Sequence, residues 1–135
     1  MITNRIKISQ EATDKIKQLK ARLRIGPLYS VARMALALSL EDEKPPQEEF
    51  YKEDGMEFNR PTLLGEFDSA YLSLLKERGL YKKTLKGRKL EKVEILNPKE
   101  ATSYLVAHIN RGTLKLHARI KSQEDLYELI KEQNA

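Results

Sequence analysis

Few side chains in this sequence are suited to chemistry, and the best set comes late. His108, Asn110 and Arg111 lie within four residues. At helical spacing His108 and Arg111 share a face, i to i+3. An imidazole beside a guanidinium is a pair that serves acid–base or phosphodiester chemistry. A nuclease needs more than that. The chain holds two histidines and no cysteine, so it offers no thiol nucleophile, disulfide, cysteine-bound zinc or iron–sulfur ligation of its own. Glu57, Glu66 and Asp68 follow no metal-binding spacing. There is no phosphate-cradling glycine loop, nucleophile elbow or dinucleotide fingerprint. His108 therefore reads as a packed or capping residue and His117 as a surface residue of a strand. No catalytic residue, metal or cofactor is assigned.

The cations point elsewhere. Arg5 and Lys7 alternate with Ile6 and Ile8, as on a half-buried strand whose outer face is basic. Ala12, Ile16, Leu19 and Leu23 follow at 4-3-4 spacing, the apolar stripe of a helix. On that helix Lys17, Lys20 and Arg24 fall within about 60° of one another, beside the apolar stripe. No acid four residues away neutralises them, and such a stripe can track a phosphate backbone. Arg5, Lys7, Lys17, Lys20 and Arg24 are the DNA-binding candidates. Lys15 and Arg22 lie on the other flank. A second group, Lys82, Lys83, Lys86, Arg88, Lys89 and Lys92 beside Tyr81, reads as an exposed basic turn able to clamp phosphate.

The charge distribution supports a polyanion partner. The net charge is +5. Residues 1–40 carry eight Lys/Arg against two acids, residues 41–68 three against ten, and residues 69–135 fourteen against eight. Basic ends around an acidic middle suit a polyanion better than uniform charge does. No apolar run approaches the roughly 20 residues of a membrane span. The N-terminus lacks the apolar core of a secretory signal, so the reading is cytoplasmic with no membrane partner.

The elements that must hold these residues make a mainly α chain, expected to be one domain over 1–135. Ser9 suits an N-cap with Glu11 in the first turn. Gly26 suits the left-handed position ending the first helix, and Pro27 the first turn of an apolar helix from Leu28 to Leu40. Residues 1–41 thus form a strand–helix–helix unit. Its strand has no apparent partner in the chain, and its second helix has little polar face, so both favour self-association. Residues 42–56, with Pro45–Pro46 and Gly55, read as a solvated acidic loop. The remaining helices occupy 57–135. One spans Thr62 to Arg78. One opens at Asn97–Pro98 and ends near Arg111–Gly112. A strand covers Leu114 to Ile120. A last helix starts after a capping pair, Ser122 and Asp125, and buries Leu126, Leu129 and Ile130.

Three stretches together resemble the DndE family of DNA phosphorothioation (DNA sulfur modification) proteins. They are Arg33-Met34-Ala35-Leu36-Ala37-Leu38-Ser39-Leu40-Glu41, then Glu57-Phe58-Asn59-Arg60-Pro61-Thr62-Leu63-Leu64-Gly65-Glu66-Phe67-Asp68, then Ala107-His108-Ile109-Asn110-Arg111-Gly112. Residues 82–92 and 113–120 have no counterpart. The resemblance implies a ribbon-helix-helix relative that assembles as a homotetramer. It implies binding to nicked double-stranded DNA through surface lysines, and sulfur chemistry done by partner phosphorothioation proteins. An alternative is a ribbon-helix-helix transcriptional repressor reading bases with Arg5 and Lys7. The helices beyond residue 57 argue against it, since such a module needs only the first forty residues.

Overall fold

The computed structural model describes residues 2–83, 90–94 and 96–133. The protein is mainly α, with two short antiparallel sheets. Strand β1 (Arg5–Lys7) leads into α1 (Gln10–Leu23) and α2 (Leu28–Leu40). Then come β2 (Glu57–Asn59), α3 (Arg60–Leu64) and α4 (Asp68–Arg78). A hairpin of β3 (Leu80–Lys83) and β4 (Leu90–Val93) precedes α5 (Pro98–Arg119) and α6 (Gln123–Gln133). Ser9 caps α1 as its sequence predicts, its side chain accepting from the Ala12 N–H at 3.0 Å. Asn97 caps α5 in the same way, with Pro98 in the first turn.

The core lies where α1, α2 and α5 meet. Ile16, Leu19 and Leu23 of α1, Leu36 of α2, and Leu105, Ile109 and Leu116 of α5 are fully buried in it. The α2–α5 crossing is the closest packing in the fold. A Cβ on Gly112 would stand 1.7 Å from the Ala35 carbonyl oxygen, so the two helix backbones touch there.

Several expectations fail for identifiable reasons. Strand β1 is not unpartnered: it pairs with β2 of the same chain, Arg5 opposite Asn59, Ile6 opposite Phe58 and Lys7 opposite Glu57. The partner comes from fifty residues later, beyond the reach of local pattern. The apolar character of α2 is likewise satisfied inside the chain, by α5, α1 and the α3–α4 region. Both sequence arguments for self-association therefore lapse.

Helix α1 ends at Arg24, not Gly26. Arg24 takes the left-handed conformation (φ 53°), and its N–H returns to Lys20 O at 2.9 Å. The helix expected over Thr62–Arg78 is interrupted. Gly65 (φ +53°) breaks it, and the Arg33 guanidinium occupies the place of a side chain there. Helix α5 does not stop at Gly112 and there is no strand over 114–120; the helix runs on to Arg119. The alternating apolar residues misled because Gly112 serves a helix crossing rather than a helix end.

The acidic stretch is no loose excursion. Asn110 Nδ2 donates to Phe50 O (2.7 Å) and Lys52 O (2.9 Å), and Arg111 Nη1 to Lys44 O (2.7 Å). Of the basic run, Lys82 and Lys83 lie in β3 and Lys92 in the antiparallel partner β4, while residues 84–89, where the turn was expected, lie outside the described residues. In α6, Leu129 is buried but Ile130 is 47% exposed, so the expected burial of Ile130 is wrong.

Candidate nucleic-acid interface

Lys17, Lys20 and Arg24 are all exposed on one flank of α1, with the apolar stripe seated on α2 and α5. Among the described residues no ion pair involves any of the three. Burial of Ala12, Ile16, Leu19 and Leu23 fixes the rotation of α1, and that rotation aims the three cations at solvent. Arg24 sits at the cap, on the left-handed residue, rather than inside the helix.

Arg5 and Lys7 are exposed on the outer face of β1 while Ile6 is buried. Their surroundings differ. Lys7 stands directly opposite Glu57, a cross-strand pair of opposite charge, whereas Arg5 faces Asn59. The strand cations and the α1 cations lie on separate elements, and no described hydrogen bond or ion pair joins them. Lys82 and Lys83 belong to β3. Lys86, Arg88 and Lys89 lie outside the described residues. Lys92 is exposed on β4. Tyr81 turns inward, its ring 6.0 Å from that of Tyr104.

The His108–Asn110–Arg111 set is interior. His108 Nδ1 is 2.9 Å from Ser39 Oγ on α2. Arg111 Nε donates to the same Oγ and Nη2 to Ser39 O, both at 2.9 Å, and Nη1 lies 3.6 Å from Asp42. Burial, then the Arg111 charge, pushes the His108 imidazole down to about 3. Asp42 is held below the usual carboxylate range by the Lys44 backbone N–H, then by Lys115. Asn110 Oδ1 accepts from the Ser9 N–H at 2.9 Å. These residues clamp α5 to α2, to the acidic stretch and to the start of α1. Arg60 does similar work. It grips Asp68 through two bonds of 2.7 and 2.8 Å, and donates to Ile2 O at 2.6 Å.

Sequence reasoning missed a gathering of cations on the other flank of α1. There Lys15 and Arg22 meet His117 and Lys121, because α5 continues past Gly112 and carries His117 to α1. His117 Nε2 lies 2.8 Å from Gln18 Oε1, and Arg22 Nη1 donates to Ile120 O at 2.8 Å. Recognising one long helix through Gly112 was the signal needed. Among the described residues no helix is long and apolar enough to cross a membrane.

Comparison with known proteins fits this architecture. The model of the family described as "DNA sulphur modification protein DndE" matches residues 5–124. A crystal structure of DndE from Escherichia coli B7A, involved in DNA phosphorothioation modification, is similar at 26% identity and a TM-score of 0.66. The match covers 86% of this chain and 98% of that one. A DndE variant with glycines replaced by lysine, involved in DNA phosphorothioation, matches at 27% identity and a TM-score of 0.64, over 86% and 99%. No curated protein matches the sequence. With the match spanning both clamp motifs, β1 and helices α1 to α5, the chain belongs to the DndE family of DNA phosphorothioation components.

Proposed function

We propose that this protein is the DNA-holding, non-catalytic subunit of the phosphorothioation machinery, and that residues 1–135 act as one domain. The observation that carries the reading is the exposed stripe of Lys17, Lys20 and Arg24, without an ion pair among the described residues, in a DndE-family chain. Arg5 contributes, and Lys7 less, because Glu57 sits opposite it. The basic run, Lys82, Lys83, Lys86, Arg88 and Lys89, adds a second group. The interior placement of His108 and Arg111 supports a non-catalytic role, since neither reaches a substrate from there. A chain without cysteine carries no persulfide, so sulfur transfer falls to other phosphorothioation proteins. Nicked duplex is the favoured ligand, because a break lowers the cost of bending DNA onto a basic surface. Assembly is as a homotetramer in the cytoplasm. The repressor alternative is weakened by β1 pairing with β2 of its own chain, which takes up the strand that a shared ribbon would use.

Binding of labelled nicked, intact and single-stranded DNA, followed by anisotropy, tests this. The expected order places nicked duplex first. The log of affinity falls linearly with log salt, at about −0.9 per phosphate contact. Replacing Lys17, Lys20 and Arg24 by Glu weakens binding to all sequences alike while circular dichroism stays unchanged. A folded triple variant that binds like the wild type refutes the stripe.

A further inference from the structure

The flank of α1 about 160° around the axis from the Lys17 stripe carries Lys15, Gln18 and Arg22. It lies against the C-terminal end of α5, and cations from two stretches of chain, Lys15 and Arg22 on α1 and Lys121 beyond α5, meet around His117. Arg22 Nη1 donates to Ile120 O at 2.8 Å, Lys121 Nζ to His117 O at 3.4 Å, and the His117 ring bonds Gln18. Cations beside the free carbonyls of a helix end are ordinary. Those carbonyls fix where the heads sit but bring no full negative charge. Among the described residues no ion pair involves Lys15, Arg22 or Lys121.

Of the acids of the neighbourhood one shares this flank, and among the described residues none forms an ion pair with Lys15, Arg22 or Lys121. Glu11 stands one turn before Lys15 on the same flank. Asp125 takes the backbone N–H of Lys121 at 2.8 Å, and Glu132 pairs with Arg119 at 3.1 Å. The effect registers on the ring. Burial first, then Lys15, Arg22 and Lys121, hold the His117 imidazole below its ordinary range, and every charge shifting it is positive.

We propose that Lys15, Arg22, His117 and Lys121 form a second contact for nucleic-acid phosphates, on the opposite flank of α1 from the Lys17–Lys20–Arg24 stripe. The proposal rests on the DNA-holding reading above and adds a surface to it. A single straight backbone cannot touch both flanks, so α1 stands between two backbone segments. A phosphate beside the ring reverses the local field, and His117 takes up a proton as the phosphate arrives. Affinity through this contact therefore rises as pH falls. His108 stays out of that titration because burial holds it near 3.

The test measures anisotropy of a short labelled duplex with four proteins. They are the wild type, the double variant Lys15→Gln with Lys121→Gln, the variant His117→Gln, and the stripe variant with Glu at 17, 20 and 24. Circular dichroism checks each fold. The double variant is expected to bind about tenfold more weakly at low salt, with a log–log salt slope shallower by about two. Wild-type affinity is expected to rise about fivefold from pH 7.5 to pH 6, and His117→Gln to flatten that rise. An unchanged slope in the double variant, with an unchanged pH profile for His117→Gln, overturns the second contact. If the stripe variant still loses binding, that result leaves the DNA-holding reading standing. No binding by the wild type to any duplex overturns both.

Discussion

Arg111 can only donate, and its Nη2 lies 3.5 Å from His108 Nδ1, while Ser39 Oγ accepts from Arg111 Nε and has its own proton to give. Nδ1 is thus the acceptor and the His108 proton rests on Nε2, a buried nitrogen without a described partner. The neutral ring is built in. Its folded pKa of about 3 lies below the ordinary 6.5 of an unfolded chain. Between those values the unfolded state binds the extra proton, so stability is complete above about 6.5 and is lost as pH falls towards 3. Thermal unfolding from pH 7 to 4 should show this decline, with His108 contributing up to about 1.4 kcal/mol per pH unit. In His108→Gln that part of the slope should vanish, even if the variant starts less stable. An unchanged slope would mean that His108 is not the group responsible. The residue types of this set, and the packed reading of His108, were legible in the sequence. Its partners were not: Ser39 and Asp42 lie about seventy residues away, and nothing local marks them. Likewise Glu57-Phe58-Asn59-Arg60 was visible as a motif. Only the fold explains it, with Phe58 buried and Arg60 tying Ile2 to Asp68.

Among the elements, α1 and α2 followed their apolar spacing and Ser9 caps α1 as expected, although Arg24 rather than Gly26 ends α1 and Pro27 caps α2 instead of lying in its first turn. The failures came where one residue did an unexpected job. Gly112 reads as a helix stop, yet it lies inside α5 so that Ala35 can approach. That assignment carries a prediction. Gly112→Ala should destabilise by about 3 kcal/mol or more in urea denaturation, although alanine is the better helix former, because the added methyl meets backbone rather than a movable side chain. A neutral or stabilising result would show that the α2–α5 crossing is looser than described. The candidate site shows the same division. The stripe on α1 follows from periodicity. The Lys15–Arg22–His117–Lys121 gathering depends on α5 continuing past Gly112, and a chain read as strand over 114–120 could not bring His117 there.

For the whole molecule, the remaining exposed apolar side chains bear on assembly. Phe67 is 48% exposed, Leu74 38%, Tyr127 65% and Ile130 47%. With β1 paired and α2 covered, these are the exposed large apolar side chains among the described residues that contact between copies could use. Light scattering at micromolar concentration should give four times the 15.6 kDa chain mass. Phe67→Glu with Leu74→Glu should lower that mass if α4 takes part, and a monomeric wild type would refute the assembly. Mainly α architecture was legible from the sequence, whereas the β1–β2 sheet was not, because some fifty residues separate its two strands in the chain.

The α2–α5 crossing also sets an order of events during synthesis. Helix α2 is complete at Leu40, while α5, which covers it, begins at Pro98. At about 5–20 residues per second, a ribosome needs roughly 4–16 s to go from Leu40 to the end of α5 at Arg119. Throughout that interval the face of α2 that α5 will cover has no partner from its own chain. The most tightly packed seam of the finished protein therefore closes late, and the growing chain depends on its surroundings to shield it until then.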